Sequence, residues 1–347
     1  MKLWKRASVA IKDGPSLIAA DDILTAAVVK ATNHDEFSID TESALFINRH
    51  VRSNPSSLKP LISAISSRVK RTRSWTVALK GLMLTHGFFL CKTTSAESIG
   101  RLPFDLSDFG EGNSRMSKSG GFNLFVRAYF AFLDRRSILF HDGNRHRYDE
   151  ESSVMIRLVI IRKMQVIVDS LIRIKPIGEI MKMDLINEAM ENVISEILEV
   201  YGWICRRIGE VLPNVHSKIG KTQADLALKI VAKSVSQGEE LRKYFEFCRD
   251  FGVSNAQEIP EFVRIPEADV VHLDELVRTE ETEDRGEAME TDLCEEDAER
   301  RNGDDEGGEE REMKCELVCD LITLDENDEE ETSSPPRVVD IPDLISF

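Results

Sequence analysis

No stretch of this chain alternates apolar and polar residues at the two-residue period of a half-buried strand, and no apolar run is long enough to cross a bilayer. The run Val154–Ile174 is broken by Arg157, Arg162, Lys163, Asp169 and Arg173, the pattern of a helix packed in water. Catalytic signatures are missing too. There is no Gly-x-Ser-x-Gly, no His-Glu-x-x-His and no Gly-x-x-x-x-Gly-Lys-Ser/Thr phosphate loop. Aromatic residues amount to 7% and are not interleaved with arginine, and no zinc spacing or RNA-reading motif occurs, so nucleic acid is not an expected partner. The six cysteines, Cys91, Cys205, Cys248, Cys294, Cys315 and Cys319, form no paired framework and no ligand set with histidine. The expectation is a reducing cytosolic compartment without a secretory leader, no metal and no cofactor.

Two fragments imitate a kinase. Val9-Ala10-Ile11-Lys12 looks like the strand that carries a phosphate-pairing lysine, and Asp108-Phe109-Gly110 looks like a magnesium-binding triplet. A kinase also needs a Gly-rich loop before the lysine and a His-Arg-Asp loop before the triplet, and neither is present. No enzymatic activity is expected. His86 falls in a helix of core residues and reads as a structural histidine, while His141 and His146, beside Arg145 and Arg147, read as a solvated basic turn.

What is present divides sharply by charge. The whole chain carries −17, yet residues 271–347 hold 7 Lys/Arg against 29 Asp/Glu, so the remaining body is mildly basic. The body reads as helix after helix. Ser74 caps a run in which Trp75, Leu79, Leu82 and Met83 share one face. Similar runs occupy about 17–32, 43–52, 57–71, 121–140, 151–175, 178–212 and 221–251, separated by Asp13-Gly14-Pro15, Asn54-Pro55, a Gly-rich loop over 93–120, Lys175-Pro176 and Leu212-Pro213. Eight or nine helices on short turns, with the longer ones in the second half, imply an all-α solenoid. Ile259–Pro266 reads as a proline-stiffened strap, and from Glu280 onward the chain is too poor in apolar residues to fold.

Three ordered motifs then resemble a known family. Lys30-Ala31-Thr32-Asn33-His34, Arg73-Ser74-Trp75-Thr76-Val77-Ala78-Leu79-Lys80 with Thr85-His86, and Phe125-Val126-Arg127-Ala128-Tyr129 with Leu133-Asp134 are similar to successive signatures of the ANTH domain of plant clathrin assembly proteins. The likeness covers about residues 2–265. It implies an ANTH-like helical domain over 1–266 and a disordered acidic tail over 267–347. It also implies contact with phosphatidylinositol bisphosphate in membranes, clathrin heavy chain and SNARE cargo, at coated pits and vesicles of the plasma membrane and the Golgi. The family's lipid motif is a Lys, nine residues, a second Lys, and then a further basic residue followed by His or Tyr. Lys30 fills the first place, but the later ones fall on Asp40, Glu42 and Ser43, which implies a weakened lipid site. Two other basic features offer compensation: an amphipathic opening helix (Leu3, Trp4, Ala7 and Ile11 bordered by Lys2, Lys5, Arg6 and Lys12) and a cluster of Arg68, Lys70, Arg71 and Arg73.

In the tail, Leu321-Ile322-Thr323-Leu324-Asp325 fits the clathrin-box pattern of Leu, apolar, any residue, apolar, acidic. As an extended peptide it would offer Leu321 and Asp325 on one side and Ile322 and Leu324 on the other. The last residues, Ile341–Phe347, form a second apolar stretch suited to an adaptor appendage. The rival reading is a soluble helical scaffold that has lost phosphoinositide binding.

Overall fold

The computed structural model describes residues 17–90, 99–110, 120–141, 153–215, 220–257 and 271. All belong to the first of two compact units, Met1–Thr282. The second unit, Glu283–Phe347, lies outside the described residues, as do the opening basic helix and the 259–266 strap.

Among the described residues all regular structure is helical. The helices are α1 (Leu17–Ala31), α2 (Thr41–Ser53), α3 (Leu58–Lys70), α4 (Trp75–Leu90), α5 (Gly120–His141), α6 (Val154–Ile172), α7 (Asp184–Val215) and α8 (Lys221–Phe251), with short 3₁₀ turns at Pro55–Ser57, Glu179–Met181 and Ser254–Gln257. The ends are set by local chemistry. The Asp40 carboxylate caps α2 by accepting from Ser43 N at 2.9 Å, and Pro55 opens the turn into α3 where its missing N–H costs nothing. Gly252 ends α8 with φ 104, and the next residue, the buried Val253, donates back to Cys248 O at 2.9 Å.

The run from Trp75 does not behave as a one-faced helix. From Thr76 to Phe89 every residue of α4 except Gly87 is buried, because α2, α3, α5 and α7 all pack on it. That corrects the amphipathic reading of Trp75, Leu79, Leu82 and Met83: α4 is the central rod, which is why it is apolar on every side. Gly81 lets α3 approach, since a Cβ there would lie 2.5 Å from Val69 Cγ2.

The contacts fix the helix directions. Trp75 stacks on Phe122 at 4.1 Å and His86 meets Tyr129, so α4 and α5 run parallel. Gln165 donates to Ile230 O and Ser234 Oγ, and Tyr244 Oη donates to Ile174 O, so α6 and α8 also run parallel. One edge therefore gathers the C-termini of α1, α3, α6 and α8 with the N-termini of α2, α4, α5 and α7. The connections 32–40, 71–74 and 173–183 cross that edge.

Candidate functional site

Lys30 stands in the last turn of α1, and the α1–α2 loop folds back to bring its sequence partners onto it. Its Nζ lies 3.4 Å from Asp40 Oδ1 and 3.4 Å from Glu42 Oε2. Desolvation pulls the Lys30 ammonium down, but the hydrogen bond to Glu42 and the charge of Asp40 outweigh it and leave it raised. Asp40 is answered in kind: burial opposes its charge, while the bonds from Ser43 and the nearby Lys30 hold it below the usual carboxylate range. Ser43 is buried at 1% exposure, on the inner side of α2. The three positions after Lys30 thus supply two anions and one inward hydroxyl. An anionic headgroup at Lys30 would meet carboxylates on two sides.

The loop is held from beneath by a buried lysine and a half-buried glutamate that spacing alone did not reveal. Lys80, fully buried on α4, donates to Asn33 Oδ1 at 2.6 Å, and Ile39 N donates to Glu188 Oε2 at 3.1 Å. Burial lowers Lys80, against the pull of Asp35, Glu188 and Asp40; burial likewise raises Glu188. The sequence hint for Lys80 was a lysine inside a continuous apolar run.

The basic cluster divides. Arg68 reaches back to donate to Thr32 O at 3.1 Å and Thr32 Oγ1 at 3.3 Å, which satisfies the end of α1, so its role is structural. Lys70, Arg71 and Arg73 stay exposed. A surface groove of about 840 Å³ runs along α3, lined by Lys59, Lys70 and Arg101 over Leu58 and Ile62. Among the described residues no carboxylate or histidine lines it.

His86 sits at the centre of the core, with Nδ1 2.7 Å from Tyr129 Oη and Nε2 3.4 Å from Glu196 Oε2. Glu196 also pairs with the buried Arg136, whose guanidinium lies over the rings of Phe89 and Phe140. Burial alone would raise Glu196; Arg136 and the bond with His86 override it and hold it at about 2. Burial lowers His86. This network ties α4, α5 and α7 together and opens onto no groove residue, in line with the structural reading of His86.

The kinase-like triplet is a turn. Phe109 is buried and donates its N–H to Leu106 O, and Gly110 adopts φ 79 against Asn123. Gly220-Lys221-Thr222 opens α8, but the position five residues earlier is Val215, inside α7, so no phosphate loop forms. Burial pushes the Cys248 thiol up to about 12, which leaves it inert, and Cys205 is half-buried. Leu321, Ile322, Leu324 and Asp325 lie outside the described residues, as do Val9–Lys12 and His146.

The described residues form an all-α solenoid that carries charged features on a loop edge. The ANTH domain family model matches residues 23–279, and the chain belongs to that family. A protein of Arabidopsis thaliana described as a putative clathrin assembly protein is 78% identical over 350 residues, covering 100% of both chains. Another, similarly described and from the same plant, is 56% identical over 281 residues, covering 80% of this chain and 86% of its own. Among solved structures, the ENTH domain of epsin-2 in complex with phosphatidylinositol 4,5-bisphosphate matches 72% of this chain and 100% of its own, with TM-score 0.52 at 15% identity. At that identity the likeness speaks for the fold alone.

Proposed function

We propose that this chain is a clathrin coat adaptor: its ANTH domain contacts membrane or cargo, and Leu321, Ile322, Leu324 and Asp325 recruit clathrin heavy chain. The observation that carries the reading is the 78% identity, over 100% of both chains, to a protein described as a putative clathrin assembly protein. The pentapeptide in an acidic tail supports it, because so few apolar residues stand there that a chance match is rare. Residues 1–266 are the ANTH-like part of this reading and 267–347 its disordered tail. From Pro266 to Leu321 a flexible chain would span about 40 Å r.m.s., enough to reach a coat layer above a membrane. Each contact is weak and a lattice of them is strong, so binding concentrates where coat and membrane coincide. Phosphoinositide at Lys30 is the weaker arm, since Asp40 and Glu42 already occupy its charge. SNARE cargo and Golgi coats are finer expectations of the same reading.

The test is capture of purified clathrin terminal domain by the immobilised full chain. Wild type is expected to retain it and Leu321→Ala/Leu324→Ala to lose it; equal capture by the variant rejects the assignment. The quenched Lys30 favours one second reading, a helical scaffold without lipid binding. That reading requires no sedimentation with vesicles of any phosphoinositide.

A further inference from the structure

The α6–α7 connection carries a feature that Lys30 does not explain. Ile177 and Ile180 are each 57% exposed, while Ile174 and Pro176 before them and Met181 after them are buried. The turn is built to hold that arrangement. Gly178 takes φ 86, a conformation that suits glycine, and Ile177 N donates to Met181 Sδ at 3.1 Å. Met181 N donates to Gly178 O and Lys182 N to Glu179 O. Tyr244 of α8 anchors the base through Ile174 O at 2.8 Å.

A third apolar side chain stands alongside. A Cβ on Gly121 would lie 3.9 Å from Ile177 Cβ, so the start of α5 abuts the turn. One helical turn on, at the same face of α5, Leu124 is 48% exposed. Cations flank the tip: Arg173, Lys175 and Lys182, with Lys182 paired to Glu179 at 3.0 Å and Asp184 following at the start of α7. Lys175 lays its ammonium 5.5 Å from the Tyr244 ring and Lys182 lies 6.0 Å from the Phe251 ring, so both are stationed at the root of the turn.

We propose that the Ile177–Ile180 turn, with Leu124 beside it, inserts into the interfacial layer of an anionic bilayer. This deepens the membrane half of the proposed function and rests on it. The tip projects instead of enclosing a groove, so a protein would have to supply a matching cavity, whereas lipid conforms to any apolar projection. The amides of Ile177, Met181 and Lys182 are already hydrogen-bonded within the turn, which lowers the penalty for leaving water. Arg173 and Lys175 complement lipid phosphates at the level where the chain meets the headgroups, while Lys182 offsets the charge of Glu179. Phe37, 72% exposed on the neighbouring α1–α2 loop, is not part of the anchor: Asp35 and Glu36 precede it, and anionic lipid would repel them. Because both isoleucines already face solvent, replacing them leaves the fold intact.

The experiment uses the full chain and vesicles of phosphatidylcholine with phosphatidylserine, with and without phosphatidylinositol 4,5-bisphosphate. Ile177→Asp/Ile180→Asp is expected to lower the vesicle partition coefficient by about tenfold or more in both compositions, as loss of buried aliphatic area at an interface requires. In Ile177→Trp the added fluorescence, over the wild-type background of Trp4, Trp75 and Trp203, is expected to shift to the blue and be quenched by lipids brominated on the acyl chains. Unaltered sedimentation of the double variant with an unquenched tryptophan overturns the insertion, leaves membrane binding standing and assigns the surface to a protein partner. Failure of wild type to sediment with either vesicle overturns the insertion and the membrane half of the adaptor reading together, while clathrin capture through the tail remains separately testable.

Discussion

A carboxylate removed from water at the centre of a helical core survives as an ion only if its partners are fixed. Glu196 has two, Arg136 and His86. Replacing it with glutamine strands the Arg136 guanidinium, and leaving one member of a buried pair alone costs about 3–5 kcal/mol. The pH response follows from the same site. The His86 imidazole is held below its ordinary 6.5, so the unfolded chain takes up a proton that the folded chain refuses, and stability falls as pH drops below about 6.5. Glu196, held at about 2 against an ordinary 4.5, adds a second loss as pH falls below about 4.5. Thermal unfolding between pH 7 and 5 checks the first step: the midpoint of wild type is expected to fall, and His86→Gln to show a smaller fall from a lower start. An equal slope in the variant contradicts the assignment. A histidine inside a core-like helix was readable from sequence as structural. Its carboxylate partner was not, because Glu196 lies 110 residues away and nothing local distinguishes it from the solvated glutamates of α7.

At the level of elements, the apolar runs and most of their breakers were enough to place the helices, and the long α7 and α8 fall in the second half as expected; α7 is the exception, starting at Asp184 instead of about 178 and continuing through Leu212-Pro213 to Val215. Periodicity failed where burial was complete. In α4 the residues that spacing assigned to one face are buried together with all their neighbours, since a helix surrounded by others has no polar side to reveal it. Gly81 is the tightest point of that packing. Gly81→Ala would drive a methyl to 2.5 Å from Val69 Cγ2, and overpacking of this kind costs about 1–3 kcal/mol, more than alanine regains from helix propensity. Denaturant unfolding is expected to show a lower midpoint with an unchanged slope; a midpoint at or above wild type would mean that α3 moves aside freely. The α6–α7 turn was similarly hidden. Ile177 and Ile180 look like core residues in a string of letters, and only the fold shows them facing outward.

Across the whole molecule, charge separates two kinds of surface. Residues 271–347 carry about −22 and the rest about +5, so an anionic membrane would repel the former and attract the latter. That Asp40 and Glu42 fall where the family's motif has basic residues was legible through the resemblance. That these carboxylates close onto Lys30 required the loop geometry, which Lys80 and Glu188 brace from below. The central claim is that the 321–325 peptide links clathrin to whatever the ANTH domain holds. The direct measurement is co-sedimentation of purified clathrin with anionic vesicles carrying the full chain, wild type against Leu321→Ala/Leu324→Ala. The account expects wild type to bring clathrin into the pellet and the variant to sediment while clathrin stays in the supernatant. Clathrin pelleting equally with both would contradict it.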